Sequence, residues 1–431
     1  MKLLAAALAL GLTTSLAQAA DDATDSWLDG QVPSLMDLYR HLHSHPELSY
    51  QEVETAKRIA RELAEAGAEV TTGVGKLGVV GVLKNGNGPT VLVRADMDAL
   101  PVVEATGLPF ASKVTVTNDD GSKAGVMHAC GHDIHMTCLV GTARWLATHK
   151  DRWSGTVLLI AQPAEERIGG AKAMLADGLY DRFPRPDAAL ALHVSHDIQA
   201  GHVGYIAGPA MAGSTSMDIA VRGKGGHGAM PHNTVDPVVL AAALIMDSQT
   251  VVSREVKPID PAVVTVGSIH GGSKHNIIPD EVKLQLTLRY FRPEVREQLI
   301  EGVTRRANAL ATAHKAPAPK VEIGDDTPPT INTPALVEKV VPALRSTLGD
   351  AAVIPVEATM GAEDFGLFGQ GGVPTFMFRL GTIPADRMAA FKAGTPLPSL
   401  HSALYHPEAD PSIRTGVRSM AAAVVALLPR R

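Results

Sequence analysis

Short runs that are apolar at nearly every position alternate with longer runs whose apolar residues recur every three or four positions. The segments 78–83, 90–95, 156–161 and 188–192 are apolar on both faces, as strands buried within a parallel sheet are. Helical periodicity over 133–149 and 170–177 separates them. Residues 27–66 carry two helical patterns, broken at His45-Pro46. The alternation predicts an α/β fold with a mostly parallel central sheet covered by helices. Near residue 208 the pattern changes to a strand at 216–222, a helix at 236–253 and strands at 262–269 and 282–291. A helix at 293–314, opened by Pro293, and a strand at 320–323 complete a β-α-β-β-α-β unit, the ferredoxin-like α+β order. α/β character then returns, with a helix at 334–348, strands at 352–355 and 374–378, and a last helix at 411–428. This predicts a discontinuous first domain, 27–207 plus 320–431, with an inserted domain at 208–319. Gly208-Pro209 and Ala316-Pro317-Ala318-Pro319 mark its borders.

The start of the chain adds a different signal. Met1-Lys2, an apolar run from Leu3 to Leu12 and the site Ala17-Gln18-Ala19 form a secretory leader over 1–19. The run is too short for a stable membrane span. Export, to the periplasm or beyond, is expected, with no membrane attachment after cleavage. About 410 residues then remain, enough for about two domains. The composition, 45% hydrophobic and 19% charged, is that of a folded soluble protein. A formal charge of −6 and the lack of a basic block argue against nucleic acid as a partner. The two cysteines are Cys130 and Cys138. Eight residues of helix would hold them roughly 12 Å apart, too far for a disulfide. Cys130 is read as a free thiolate with a chemical task and Cys138 as a small core residue.

Five short motifs carry metal-binding side chains. They are Arg94-Ala95-Asp96-Met97-Asp98, His128-Ala129-Cys130-Gly131-His132-Asp133, Gln162-Pro163-Ala164-Glu165-Glu166, Leu192-His193-Val194 and Leu400-His401-Ser402. Thiolate, imidazole and carboxylate are the groups that ligate. The motifs follow strand-like runs, and the carboxyl ends of strands are where α/β sheets build sites. Adjacent carboxylates such as Glu165-Glu166 can divide the work, one holding metal and one accepting a proton from water. His128 and His135 could instead complete a local knuckle with Cys130 and His132, but that leaves the other motifs without purpose. His41, His43 and His45 lie on different faces of a helix end next to Pro46 and are read as C-terminal dipole partners.

Taken together, the motifs resemble the aminoacylase/carboxypeptidase family of co-catalytic metallohydrolases. The nearest likeness is its amidohydrolase branch of hippurate hydrolases and indole-acetyl–amino acid hydrolases. The resemblance runs from His41-Leu42-His43-Ser44-His45-Pro46-Glu47-Leu48 to Leu400-His401-Ser402 and includes Met360-Gly361-Ala362-Glu363-Asp364-Phe365. It implies a metal-binding α/β domain with an inserted lid or dimerisation domain, and two divalent ions (zinc, manganese, cobalt or nickel). It further implies Cys130, His132, Glu166, His193 and His401 as ligands, Glu165 as general base and Asp98 as the carboxylate steering a ligand imidazole. His227, in Gly225-Gly226-His227-Gly228, is implied to reach the partner subunit's site in a homodimer and polarise the scissile carbonyl. Asn276 and Arg289 are implied to hold the substrate carboxylate, for which an Arg fork is suited. The segments 110–124 and 382–398 look longer than in compact relatives.

The expected reaction is metal-dependent hydrolysis of N-acyl amino acids, or of small peptides with a free carboxylate as an exported dipeptidase or carboxypeptidase would perform. Two other readings stay open at this point: a cysteine hydrolase with Cys130 as nucleophile, and a non-catalytic metal-binding protein. Sensitivity to a chelator separates the first from the metal reading.

Overall fold

The structure, a computed structural model, describes residues 26–117 and 121–430. The expected leader over 1–19 lies outside them. By its internal contacts the chain divides into two compact units.

The first unit comprises residues up to Gly208, Asn332–Val356 and Phe368 onward. Its eight-stranded sheet has the order Glu69–Val74, Gly78–Asn85, Gly155–Gln162, Thr90–Asp96, Ala188–Gln199, Thr375–Ile383, Val203–Tyr205 and Val353–Pro355. Gly155–Gln162, Thr90–Asp96, Ala188–Gln199 and Thr375–Ile383 run parallel. Parallel neighbours need crossovers, which the helices His132–Thr148 and Gly170–Ala176 supply. Thr90–Asp96 is buried at every position, which is why it shows no polar alternation in sequence. Gly78–Asn85, whose apolar run suggests a parallel strand, is antiparallel to both neighbours. Its link to Glu69–Val74 is too short for a crossover. Burial on both faces arises here because helix Val53–Glu65 packs on the strand and Met174 lies against Gly78.

The parallel register brings the chemistry to one edge. Asp96 pairs with Gln162, and Arg94 with Ala191. Asp98 and Glu165, just past the ends of their strands, and His193, within Ala188–Gln199, therefore lie at about the same level of the sheet.

The second unit is Pro209–Ile331 with Glu357–Leu367. Its four antiparallel strands lie in the order Ala262–Gly271, Glu281–Tyr290, Gly213–Arg222, Lys320–Thr327. Helices Pro237–Thr250 and Pro293–Ala313 cover one face, leaving alternate residues of the strands exposed. Asp236 caps the first helix by accepting from Val238 and Val239 N–H, with Pro237 at the first helical position.

The border at 319 expected from the Pro-rich segment needs correction. Strand Lys320–Thr327 hydrogen-bonds along Gly213–Arg222, so it belongs to the second unit. Glu357–Leu367 joins that unit too, because Ala212 N–H donates to the carbonyls of Thr359 and Gly361. A Pro-rich stretch marks a turn between elements but does not say which sheet the next strand joins.

Helices His132–Thr148 and Ala409–Leu427 meet at Gly141, where an added Cβ would lie 2.4 Å from Val417 Cγ2. Gly141→Val should force the helices apart and lower the unfolding free energy by ~1–3 kcal/mol, measured by urea denaturation. An unchanged midpoint would show that the contact relaxes freely.

Candidate metal centre

Each donor in the first unit is held by local structure. His132 opens helix His132–Thr148 directly after Gly131, whose φ is 75°. A Cβ at Gly131 would sit 2.7 Å from Val194 Cγ2, so only glycine allows this approach. His132 Nδ1 donates to Asp98 O at 2.8 Å, which leaves Nε2 as the lone-pair nitrogen. His193 Nδ1 donates to Val194 O at 2.8 Å, and its Nε2 lies 3.6 Å from Cys130 Sγ. His401 has φ 66°, rare for a side-chain-bearing residue, and is fixed by its N–H bond to Ala129 O. Asp98 Oδ2 accepts from Ser49 Oγ at 2.6 Å and from Glu166 N at 2.9 Å. Its carboxylate thus braces Glu166, while its carbonyl orients His132.

Among the described residues the possible donors fall into five overlapping groups, of which two are built from the expected ligands alone. Cys130, His132 and His193 make one, and Cys130, Glu166 and His401 the other, each with its atoms within 4.8 Å of one another. Cys130 belongs to both. His401 Nε2 is 3.5 Å from Glu166 Oε1, and Glu165 Oε2 is 4.0 Å from His132 Nε2. Two ligands on one ion, at bond lengths of ~2.0–2.3 Å, lie roughly 3.3–3.6 Å apart. The Cys130–His193 and Glu166–His401 spacings match that geometry. Among the described residues, His132 Nε2 and Glu166 Oε1 are buried without a hydrogen-bond partner. Buried polar atoms ordinarily have one, so these two fit a metal.

Electrostatics point the same way. Burial opposes charge on His132, but Asp96, Asp98 and Glu166 hold its pKa up to about 10. The same carboxylates would draw a divalent cation to Nε2 once it displaces the proton. Burial pushes Glu166 up to about 7, with Asp98 and Asp96 adding to the shift. Burial drives His193 well below its ordinary value, leaving its imidazole neutral as a ligand must be.

Two features escaped the sequence reading. Asp96, from the Asp96-Met97-Asp98 motif, pairs with Arg94 at 2.7 Å and with His135 Nδ1 at 2.5 Å. His135 Nε2 accepts from Val194 N, so this buried chain braces the strand that carries His193. Both ring nitrogens of His135 are thereby engaged, beside His132 and His193. His43 is not a helix-end dipole partner. It is buried between Asp133 Oδ2 at 2.7 Å and Glu104 Oε1 at 3.1 Å. Helical periodicity places His43 on the inward face with Tyr39, a signal that was available. Cys138 is buried, and both cysteines are free.

In the second unit, His227 and Asn276 lie side by side. Gly226-His227 pairs with Ile277-Ile278, and Gly228 N–H donates to Asn276 O. His227 is exposed. Arg289 stands on strand Glu281–Tyr290 opposite Ser214 and Val263, with its Nε 3.0 Å from Thr287 Oγ1. Beside Glu166 in the first unit, a cleft of about 860 Å³ is lined by Leu48, Tyr50, Leu100, Val116 and Arg167. That is large enough for a small amide substrate.

Paired donor groups at the carboxyl edge of an α/β sheet define a co-catalytic metallohydrolase. The chain belongs to peptidase family M20/M25/M40, whose profile matches residues 92–398. It is 38% identical over 352 residues to thermostable carboxypeptidase 1 of Saccharolobus solfataricus, covering 81% of this chain and 86% of that one. It is 37% identical over 341 residues to the IAA-amino acid hydrolase ILR1-like 2 of Arabidopsis thaliana, covering 78% and 74%. The YXEP protein of Bacillus subtilis, a dinuclear metal-binding peptidase from the M20 family, aligns with TM-score 0.74 and 30% identity over 93% of this chain and 99% of that one. The protein is a metal-dependent hydrolase of amide bonds.

The His43 ion pairs give a pH prediction. Burial disfavours the charged ring, yet Asp133 and Glu104 hold its pKa up to about 10, against ~6.5 in an unfolded chain. The folded state binds the proton more tightly, so this stability is fully present below pH ~6.5 and is lost as pH rises through about 10. Unfolding free energy measured by urea should therefore fall more steeply between pH ~7 and 10 in the wild type than in His43→Gln. Parallel curves would show that His43 is neutral.

Proposed function

We propose that the protein hydrolyses the amide bond of N-acyl amino acids, or of small peptides, whose amine portion carries a free carboxylate. The observation that carries this reading is the pair of donor groups sharing Cys130, with buried Glu165 beside them. Cys130, His132, Glu166, His193 and His401 would hold two divalent ions. The thiolate and imidazoles favour zinc, with manganese, cobalt or nickel as alternatives. When bound, the ions supply Lewis acidity that acidifies water and polarises a carbonyl. Glu165 accepts a proton from the attacking water as oxygen bonds to the carbonyl carbon. It then returns the proton to the amine nitrogen as the C–N bond breaks. Asp98 keeps His132 and Glu166 aligned throughout.

The substrate reading draws support from two relatives. One is named a carboxypeptidase and the other an IAA-amino acid hydrolase, names that fit a substrate containing an amino acid. Asn276 and Arg289 are the proposed partners of the substrate carboxylate. His227, exposed on a Gly-rich ribbon, is proposed to polarise the carbonyl in the partner subunit of a homodimer. The leader pattern at 1–19 supports export to the periplasm. No basic block suggests nucleic acid as a partner.

The Cys130–His193 proximity, 3.6 Å, is also what a thiol nucleophile would need. A chelator separates the two readings: loss of activity restored by added metal supports the ions, and indifference supports the thiol.

The central test is Glu165→Gln, assayed on N-benzoyl, N-acetyl and indole-acetyl amino acids and on dipeptides. Metal content should stay at the wild-type level while turnover falls by at least ~100-fold. Loss of metal in the purified variant would exchange the roles of Glu165 and Glu166. Full turnover would remove Glu165 from the reaction.

A further inference from the structure

Glu52 is a fully buried carboxyl that the proposed reaction leaves without a task. It stands at the N-cap of helix Val53–Glu65, yet its side chain makes no cap bond. A short polar side chain at that position would accept from the first amides of the helix. Here Glu47 does so, accepting from Glu54 N at 3.2 Å and from Thr55 N at 2.7 Å. Glu52 turns inward, and its Oε1 accepts from Ala164 N at 2.7 Å. Its Oε2 is buried and makes no hydrogen bond of ordinary geometry among the described residues, although the backbone of Glu52 and Tyr50 also faces the carboxyl. Burying such a group is unfavourable, so the bond to Ala164 calls for an explanation beyond helix capping.

Ala164 immediately precedes Glu165 and Glu166. Its φ of 49° and that of Ile168, 51°, lie in the left-handed region that side-chain-bearing residues rarely adopt. The turn closes on itself from one side. Ala164 O accepts from Gly169 and Gly170 N, and Glu165 O from Ile168 N. A Cβ at Gly170 would fall 1.5 Å from Pro163 O, so the closure requires glycine there. From the other side, the Ala164 amide is met by Glu52. A left-handed residue fixes the direction in which the next side chains leave the backbone, and strained backbone persists where its surroundings over-determine it.

We propose that Glu52 is a positioning residue for the reaction: by accepting the Ala164 N–H it locks the left-handed turn that aims Glu165 and Glu166. This rests on the roles given to those two residues under the proposed function. The requirement is for an acceptor at the right reach and not for a charge. Burial pushes the Glu52 carboxyl up to about 7, and a neutral carboxyl still offers its carbonyl oxygen. Glutamine keeps that acceptor. Methionine keeps the length and loses it. Aspartate keeps the chemistry and falls short by one methylene.

The experiment compares Glu52→Gln, Glu52→Met and Glu52→Asp with the wild type as purified, metal-loaded enzymes. Circular dichroism and Tm confirm folding. For each, kcat and KM are measured on an N-acyl amino acid that the wild type cleaves, and zinc affinity by titration of the metal-free protein. Glu52→Met and Glu52→Asp should lose at least ~10-fold in kcat with KM within ~2-fold. Their zinc affinity should fall by at least ~10-fold. Glu52→Gln should stay within ~3-fold of wild type in kcat and zinc affinity. A purely structural role would lower Tm without changing kcat or zinc affinity of the folded protein. Wild-type kcat and zinc affinity in Glu52→Met, or in Glu52→Asp where the Met variant does not fold, overturn the proposal. So does a Gln variant as impaired as Met. Glu165→Gln is run in parallel. If it stays active, the role of Glu165 fails, while the zinc affinity of the Glu52 variants still decides the positioning claim.

Discussion

The site depends on one electrostatic constraint: donors that repel one another are buried at the ends of adjacent strands. Asp98, Glu165 and Glu166 approach His132 and Cys130 in a region from which water is largely excluded. Asp96 is balanced by Arg94. Asp98, Glu165 and Glu166 share His132, which lies 3.4–4.0 Å from all three. Crowding buried carboxylates together is expensive, and divalent cations relieve it. The surrounding backbone is shaped around that requirement. Gly131, Ala164 and His401 take left-handed conformations next to or at donor positions, and strain of this kind concentrates at functional sites.

The helices and carbonyls around the cluster do the orienting. Asp98 serves His132 through its carbonyl and Glu166 through its carboxylate. The Arg94–Asp96–His135 chain ties strand Thr90–Asp96 to the backbone next to His193. His43 pins helix 26–44 to Asp133, which directly follows His132, and to Glu104. The proposed donors are thus held by residues outside the proposed ligand set, the usual arrangement around a catalytic metal.

Much of this was legible in the sequence. Continuous apolar runs located the central strands, and the recurrence of ligand motifs after them located the site, because side chains at the ends of parallel strands converge. Other properties are set by distant partners. The antiparallel direction of Gly78–Asn85 is decided by a short connection, which an apolar run does not encode. The second unit extends past residue 319 because Lys320–Thr327 pairs with a strand a hundred residues earlier. The partners of His43 and Asp96 are not written in the sequence, since Asp133, Glu104 and His135 reach them from across the fold. The bond from Glu52 to Ala164 spans 112 residues and leaves no local pattern.

The account stands or falls on Cys130 as a donor common to both groups. X-ray absorption at the zinc edge, on protein reconstituted with two zinc ions per chain, reads this directly. A zinc–sulfur distance of ~2.3 Å, beside nitrogen and oxygen ligands at ~2.0–2.2 Å, is the predicted spectrum. A coordination shell of nitrogen and oxygen alone would contradict it.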